Sequence, residues 1–462
     1  MSRTGGTASG RAFAVNFAEL NRWDPGSFHP IEWGWPAEIL VPIGSVLRMR
    51  KEKVDRSKLK FSELQPLSIH FDGSVSKREV ALGREYTMDL WFARPGDIVA
   101  AKIDLKNGAV GIVPKDWKNV VVTGHFAVYE PNRTKLLPEF FHRLIQTSFF
   151  KAHLWRNKVG AEGRKEVKLD FFESQLIPLP PLAEQRAIVE RWRSAQSQIA
   201  AANVRVEKLK TRIDADCFAA IGFKIEERKS PPKVFAAPWA GFGRWSVSYN
   251  QQTLTGMNLE VGKYPLATLD SFLTLVQYGT SEKANEQGHG VPVLRIGNIK
   301  DRVVDMTDLK HIELPPKTVE SLALKDGDML IIRTSGSRDL VGTCAVFHGN
   351  DQAVFASYLI RLRFDTARVN PDYVCWFLNS ALGRQQVDSI SRQIMQNNIN
   401  SEEIRTLRVP LPPLAVQRKL VERVTAARAE VARERAATAQ LRQTITAEVE
   451  SLILGAKPLP RS

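Results

Sequence analysis

Ile177-Pro-Leu-Pro-Pro-Leu-Ala-Glu-Gln-Arg186 and Val409-Pro-Leu-Pro-Pro-Leu-Ala-Val-Gln-Arg418 are almost one decapeptide written twice, at an offset of 232 residues. The proline pairs Pro180-Pro181 and Pro412-Pro413 hold the backbone extended, so a helix can begin only after them. Each pair is followed by about 35 residues rich in Ala, Arg, Glu, Gln and Leu, with no Gly or Pro before Gly222 and Gly455. That composition predicts two long helices.

The apolar spacing is more specific than the composition. Ile188, Trp192, Ala195, Ile199, Ala202, Val206, Leu209 and Ile213 form a heptad stripe that continues to Asp216 and Ala220. The same offset gives Leu420, Val424, Ala427, Val431, Glu434, Thr438, Leu441 and Ile445, then Glu448 and Leu452. Two stripes in one register predict helices roughly 50 Å long, at about 1.5 Å per residue, packed antiparallel on each other.

With 462 residues, 43% of them hydrophobic, the chain has room for two or three soluble domains. Cys217, Cys344 and Cys375 lie far apart, and the eight histidines show no ligand spacing, so neither a disulfide framework nor a zinc site is indicated. No apolar run has the length of a signal or membrane segment, and a cytoplasmic location is expected. The net charge of +15 points to a polyanionic partner. It is spread unevenly: +7 over residues 1–175, +2 over 176–222, +1 over 223–405 and +5 over 406–462.

The duplication reaches beyond the helices. Arg22-Trp23-Asp24 is echoed by Arg244-Trp245-Ser246, and the run from Arg94 to Lys102 by the run from Lys325 to Arg333. In the second pair a Gly-Asp turn feeds an apolar strand that ends in a cation. Leu137-Pro-Glu-Phe and Asn370-Pro-Asp-Tyr both read as helix starts. The expected organisation is two homologous α+β domains over 1–175 and 223–405. A central helix over 176–222 and a distal helix over 406–457 follow them, with a tail at 458–462.

This arrangement resembles the specificity subunit of type I restriction-modification systems, in which two target-recognition domains alternate with long helices. The doubled Pro-Leu-Pro-Pro-Leu helix start carries the resemblance, and the Arg-Trp-Asp opening is similar to the family's start. It implies a non-enzymatic subunit with no cofactor of its own that recognises a bipartite DNA target with a fixed spacer. The implied partners are double-stranded DNA, two adenine-N6 methyltransferase subunits holding S-adenosylmethionine, and a restriction subunit using ATP and Mg2+. A type IIB or orphan methylation system, and a protein-binding scaffold, are the competing readings. The first domain departs from the pattern over Lys51 to Arg84, where no counterpart of the segment from Gln277 to Lys283 is visible.

DNA contacts are expected from Lys and Arg on phosphate and from long polar side chains on base edges. In the first domain these are Lys102, Lys106, Asn107, Arg156, Lys158, Arg164 and Lys165. In the second they are Lys283, Arg295, Asn298, Arg333, Ser335, Ser337, Arg338, Arg392, Gln393, Gln396 and Asn397. At the common offset Gln396 and Asn397 stand where Arg164 and Lys165 stand, so the two halves are expected to read different sequences. The helix pair is expected to close through Ile188, Trp192, Ile199, Val206, Leu209, Ile213, Leu420, Val424, Val431, Leu441, Ile445 and Leu452. Methyltransferase docking is expected near Glu184, Gln185, Arg186, Gln417 and Arg418. No catalytic or metal-binding set stands out: Asp97 with Glu166 and Lys168 is the nearest to a nuclease triad, and Asn370-Pro-Asp-Tyr373 reads as a cap.

Overall fold

Both prolines of each repeated stretch do what the backbone rules require. In the computed structural model, the strands Leu176–Pro178 and Arg408–Pro410 lead through them into helices Leu182–Ala220 and Leu414–Leu454. The structure describes residues 31–79, 87–160, 165–223, 234, 236, 259–390, 392–393 and 397–457, without the side chains of Glu260, Arg392, Gln393 and Asn397. The two Arg-Trp openings and the tail at 458–462 lie outside these residues.

The chain divides into two units that are not continuous in sequence. Unit 1 is Met1–Ala201 with Ala437–Ser462, and unit 2 is Ala202–Ala436. The division runs through both long helices.

Unit 1 contains β1 (Leu40–Pro42), β2 (Leu47–Met49), β3 (Gln65–Ile69), β4 (Val75–Lys77), β5 (Leu90–Phe92), β6 (Ile98–Ala101), β7 (Val110–Ile112), β8 (Val120–Thr123), β9 (Phe126–Pro131) and β10 (Leu176–Pro178). Its helices are α1 (Pro138–Ile145), α2 (Ser148–Arg156), α3 (Leu169–Ser174) and the first half of α4 (Leu182–Ala220). One sheet runs β2-β9-β6-β7 and a second β4-β3-β8-β5, with β3 parallel to β8. The strand β1 pairs with β10 and so ties the start of the unit to the Pro-Leu-Pro-Pro stretch.

Unit 2 repeats the plan. Its elements are β11 (Leu266–Thr268), β12 (Leu273–Tyr278), β13 (Val291–Leu294), β14 (Ile299–Lys300), β15 (Val303–Val304), β16 (Lys310–Ile312), α5 (Pro316–Leu322), β17 (Met329–Ile332), β18 (Thr334–Ser335), β19 (Cys344–Val346), β20 (Val354–Phe355) and β21 (Leu359–Phe364). They continue as α6 (Pro371–Asn379), α7 (Ala381–Ile390), β22 (Arg392–Gln393), β23 (Asn397–Asn398), α8 (Ser401–Arg405), β24 (Arg408–Pro410) and the start of α9 (Leu414–Leu454). The sheet β12-β21-β17-β19 has the strand order of β2-β9-β6-β7, and β11 pairs with β24 as β1 does with β10. In the smaller sheet β16-β13-β20, the strands β13 and β20 are parallel, like β3 and β8. The segment Lys51 to Arg84 departs from the repeat in its sequence, yet β3 within it occupies the place of β13.

The Gly-Asp motif has one structural job in both units. Asp97 is buried and accepts the Arg94 amide at 2.8 Å and the Arg50 Nε at 2.7 Å. Asp328 likewise accepts the Lys325 amide at 2.8 Å and holds Arg363 through Nε and Nη2, both at 2.7 Å. The carboxylate locks its own turn and neutralises a cation from a distant part of the chain. Asp97 is therefore committed to Arg50, while Glu166 pairs with Lys168 at 2.8 Å, and the three do not form a catalytic set.

In unit 2 the same turn is fastened from outside by His348, whose Nε2 lies 3.0 Å from Asp372 and Nδ1 3.3 Å from Asp326. Burial works against the charged ring, but the hydrogen bonds and charges of Asp372 and Asp326 outweigh it and raise the His348 pKa. A raised folded-state pKa contributes stability below the unfolded value near 6.5, lost as pH rises through the folded one. A proton-NMR titration of His348 is expected to give a midpoint above 6.5 that falls in Asp372→Asn; an unmoved midpoint contradicts the pairing.

The helix pair is antiparallel: Arg191 meets Glu448 at 2.8 Å in unit 1, and Arg205, further along α4, meets Glu434 at 3.0 Å in unit 2. Ile188, Val189 and Ala195 join Ile445, Val449 and Leu452 in the core of unit 1, as Cys217, Phe218, Leu420 and Val424 join that of unit 2. Ile199 and Val206 are buried, while Trp192, Leu209, Ile213, Val431 and Leu441 are half-buried. Near its end the stripe of α4 shifts by one residue: Asp216 is exposed and Cys217 takes the inner place. Each helix ends on a left-handed glycine, Gly222 at φ 88° and Gly455 at φ 78°. There Lys263 N donates to Ile221 O at 3.0 Å, and Gly34 N to Leu454 O at 2.8 Å.

Candidate nucleic-acid interface

In unit 1 three elements converge on an open groove of about 510 Å3 lined by Phe71, Lys106, Asn107, Lys151, Trp155 and Arg156. Phe71 sits in the β3–β4 turn, Lys106 and Asn107 in the turn Leu105–Asn107 after β6, and the rest on α2. Helix α2 is capped by Thr147, whose hydroxyl accepts the Phe150 amide, and its last turn presents Trp155 and Arg156 to solvent. Lys158 follows, with Nζ 3.7 Å from the centre of the Trp155 ring and donating to Trp155 O at 3.2 Å. Desolvation, then the charges of Lys165 and Lys106, hold the Lys158 pKa below the usual lysine range. Crowded ammoniums of this kind are relieved by an anion.

Lys106 Nζ donates to Ile103 O and to Lys165 O, both at 2.6 Å, which fastens its turn to the hairpin closed by Val159 and Glu166. Lys165 is thereby brought beside Lys106. Lys102 donates to Gly124 O at 2.7 Å, and Asn107 to Asp104 at 3.2 Å. Arg164 lies outside the described residues.

In unit 2 the equivalent place is a three-stranded ribbon, β18-β23-β22. Ser335 pairs with Asn397, and Asn397 with Gln393; Arg392 pairs with Asn398. The ribbon brings Ser335 together with Arg392, Gln393 and Asn397 through the backbone, while Gln396 lies outside the described residues. Arg333 stacks on Tyr278 with its guanidinium carbon 4.9 Å from the ring centre, and its amide donates to Tyr358 O at 2.9 Å. The Lys102 amide donates to His125 O at the same distance, so Lys102 and Arg333 occupy one position of the repeat. Ser337 donates its amide to Ser335 Oγ at 3.1 Å, and exposed Arg338 begins the next turn. Lys283 is exposed in the segment after β12 and is not part of the ribbon.

Three expected site residues are corrected by burial. Asn298 is 1% exposed: its Oδ1 accepts the Arg295 amide at 3.0 Å and its Nδ2 donates to Asp305 O and Asp308 O. It closes a loop and has no edge left for a base, while neighbouring Arg295 is half-buried. Gln185 and Gln417 are fully buried and cannot form a docking face. Gln185 accepts the Leu137 amide at 2.7 Å and donates to Lys135 O and Pro180 O, both at 2.8 Å. Gln417 accepts the Asn370 amide and donates to Pro412 O, again both at 2.8 Å. They clamp each long helix to the start of α1 or α6. Arg186 and Arg418 are exposed beside them, and Glu184 is half-buried. Asn370 caps α6 by accepting the amides of Asp372 and Tyr373, and Tyr373 is buried, so Asn-Pro-Asp-Tyr is a cap.

Sequence reasoning missed Phe71, Lys151, Trp155, Tyr278 and Tyr358. Trp155 carried a usable signal, since it lies between cations at Lys151, Arg156 and Lys158. Phe71 gave none, because its place in a turn depends on β3 pairing with β4.

A family model described as Type I restriction modification DNA specificity domain matches residues 82–210, which include the Lys106 turn, α2 and the hairpin. Over those residues the chain is similar to type I specificity domains. The EcoKI specificity subunit of Escherichia coli K12 is 28% identical over 287 residues, 60% of this chain and 56% of that one. The StySPI specificity subunit of Salmonella potsdam is 26% identical over 282 residues, again 60% and 56%. The matches thus span about half the length of these relatives. A solved chain reported under "Structural basis underlying complex assembly and conformational transition of the type I R-M system" shares the fold, with TM-score 0.57 and 17% identity. Its match covers 90% of this chain and 97% of that chain. Among the described residues no group of His, Cys, Asp and Glu could hold a metal, and no helix is long and apolar enough to cross a membrane.

Proposed function

We propose that this chain reads a bipartite double-stranded DNA target, one block with each unit, across a spacer set by α4 and α9. It directs two adenine-N6 methyltransferase subunits and an ATP-dependent restriction subunit to that target. The chain itself performs no chemistry; S-adenosylmethionine, ATP and Mg2+ belong to its partners. Docking of the methyltransferases uses exposed faces of the helix pair near Arg186 and Arg418.

One observation carries the reading: the two units share a strand order, while at the common sequence offset Arg164 and Lys165 stand where Gln396 and Asn397 stand. Cations suit phosphate and guanine, and long amides suit adenine, so one scaffold carries two readouts. Helix α4, with 39 residues, is about 58 Å long at 1.5 Å per residue, more than one turn of B-DNA at about 34–36 Å.

Mapping methylated adenines in cells expressing the chain with its partner subunits tests this. A two-block motif with one gap length is expected; a continuous motif, or none, overturns it. Leu209→Lys with Leu441→Lys is a mild perturbation of the spacer, because both residues are half-buried and a lysine can keep its ammonium in water. Ile199→Lys with Ile445→Lys, at 4% and 3% exposure, is expected to abolish methylation at the fixed gap. Unchanged methylation at that gap refutes the helices as the spacer.

A further inference from the structure

The groove of unit 1 is built for more than phosphate. Phosphate recognition needs cations, yet two of its walls are aromatic: Phe71 is 59% exposed and Trp155 49% exposed. Both stand on elements closed by hydrogen bonds. The Phe71 turn is closed by Gly73 N to His70 O and His70 N to Ser74 O, each at 2.9 Å, with Ser74 bound to Asp72 through amide and hydroxyl. Gly73 at φ 76° has His142 against it, and a Cβ there would meet His142 Nε2 at 2.1 Å, so the turn admits no other residue without rearrangement. Trp155 stands on a capped helix and is braced by Lys158.

Solvent-facing rings gathered in one groove mark a binding surface. The cations around them, Lys106, Lys151, Arg156 and Lys158, select an anionic occupant. A paired, stacked duplex presents phosphates and base edges to a groove, whereas aromatic faces are matched by the face of a base. From this geometry we infer that the groove receives a nucleobase displaced from its stack, lying against Trp155 and Phe71 with its flanking phosphates on Lys106, Lys151 and Arg156. The inference rests on the DNA-binding reading and adds that unit 1 distorts the helix it reads. It also gives flexible steps in the DNA, which unstack at least cost, a place in target choice.

The test uses the full chain and two mixed-sequence 30-base-pair duplexes, one fully paired and one with a single unpaired 2-aminopurine in the middle. Wild type is expected to bind the second about tenfold more tightly, the worth of one base stacked on an aromatic side chain, with 2-aminopurine fluorescence quenched on binding. Trp155→Ala and Phe71→Ala are expected to bring the preference near one; Trp155→Phe retains most of it. Lys106→Gln weakens both duplexes equally. Equal binding of the two duplexes by wild type, or an undiminished preference in Trp155→Ala, overturns the inference while leaving DNA binding intact. A chain with no salt-dependent affinity for either duplex overturns the DNA-binding reading instead.

Discussion

Asp328→Ala is expected to destabilise unit 2 by about 3–5 kcal/mol, the usual cost of stripping a buried ion pair of one partner. Asp328 is 1% exposed and its two oxygens serve the Lys325 amide and both contacting nitrogens of Arg363. Arg361 lies 3.7 Å away with a side chain only 3% exposed, so the substitution leaves two guanidiniums without a counter-charge, one in the core. Arg361 keeps its bonds to Ala323 O at 2.7 Å and Ser321 O at 2.9 Å, which hold it in place and prevent its escape to water. Asp97→Ala gives the internal comparison. Its partner Arg50 is 22% exposed and lies near Glu52 and Glu130, so it can be rehydrated and re-paired. Urea unfolding of the full chain is the measurement. The Asp328 variant should lose clearly more than the Asp97 variant, with unchanged denaturant slope. Equal losses, or a loss under 1 kcal/mol for Asp328→Ala, contradict the account.

These two aspartates show how far the sequence could be read. Pro-Gly-Asp and Asp-Gly-Asp announced a turn before a buried strand, because glycine and a short acceptor have local meanings. The second partner of each carboxylate, Arg50 or Arg363, comes from a distant part of the chain, and sequence spacing says nothing of that pairing. The long helices were legible for the same reason as the turns: proline, composition and period act locally. Their stripe was followed one turn too far at Asp216, since straight α-helix drifts against a strict heptad. The candidate surface was legible in half. Lys106, Arg156, Lys158 and Lys165 were legible as cations, and the structure brings them to one place. Asn298 was misassigned because a polar residue in a Gly-Asn turn looks the same whether it faces solvent or closes the loop from within. Phe71 and Trp155 went unnoticed because aromatic residues are presumed to be core until burial says otherwise.

Gln185→Leu is expected to cost unit 1 about 2–4 kcal/mol, and Gln417→Leu a similar amount in unit 2, although both replace a polar residue by an apolar one in a buried site. Neither glutamine has any exposure. Each amide oxygen takes the backbone N–H at the start of a neighbouring helix, Leu137 or Asn370, and each amide nitrogen binds a carbonyl of its own Pro-Pro stretch, Pro180 or Pro412. Leucine fills the space but leaves a buried donor and its acceptors unmade, at about 1–3 kcal/mol for such a group. Only a side chain with a donor and an acceptor on one planar head meets both demands. Glutamate keeps the acceptor and turns a carboxylate toward two carbonyls. Gln185→Glu is therefore expected to be as damaging as leucine at neutral pH and to recover as pH falls, because the protonated carboxyl regains a donor and its folded-state pKa lies above the unfolded one. Denaturation of Gln185→Glu at pH 5 and pH 8 checks the sign; greater stability at pH 8 would contradict it. Each clamp fixes the direction in which a long helix leaves its own unit. If that direction sets the spacer, Gln185→Leu will reduce methylation at the fixed gap more than it reduces binding of unit 2's block alone, and Gln417→Leu will do the same with the units exchanged.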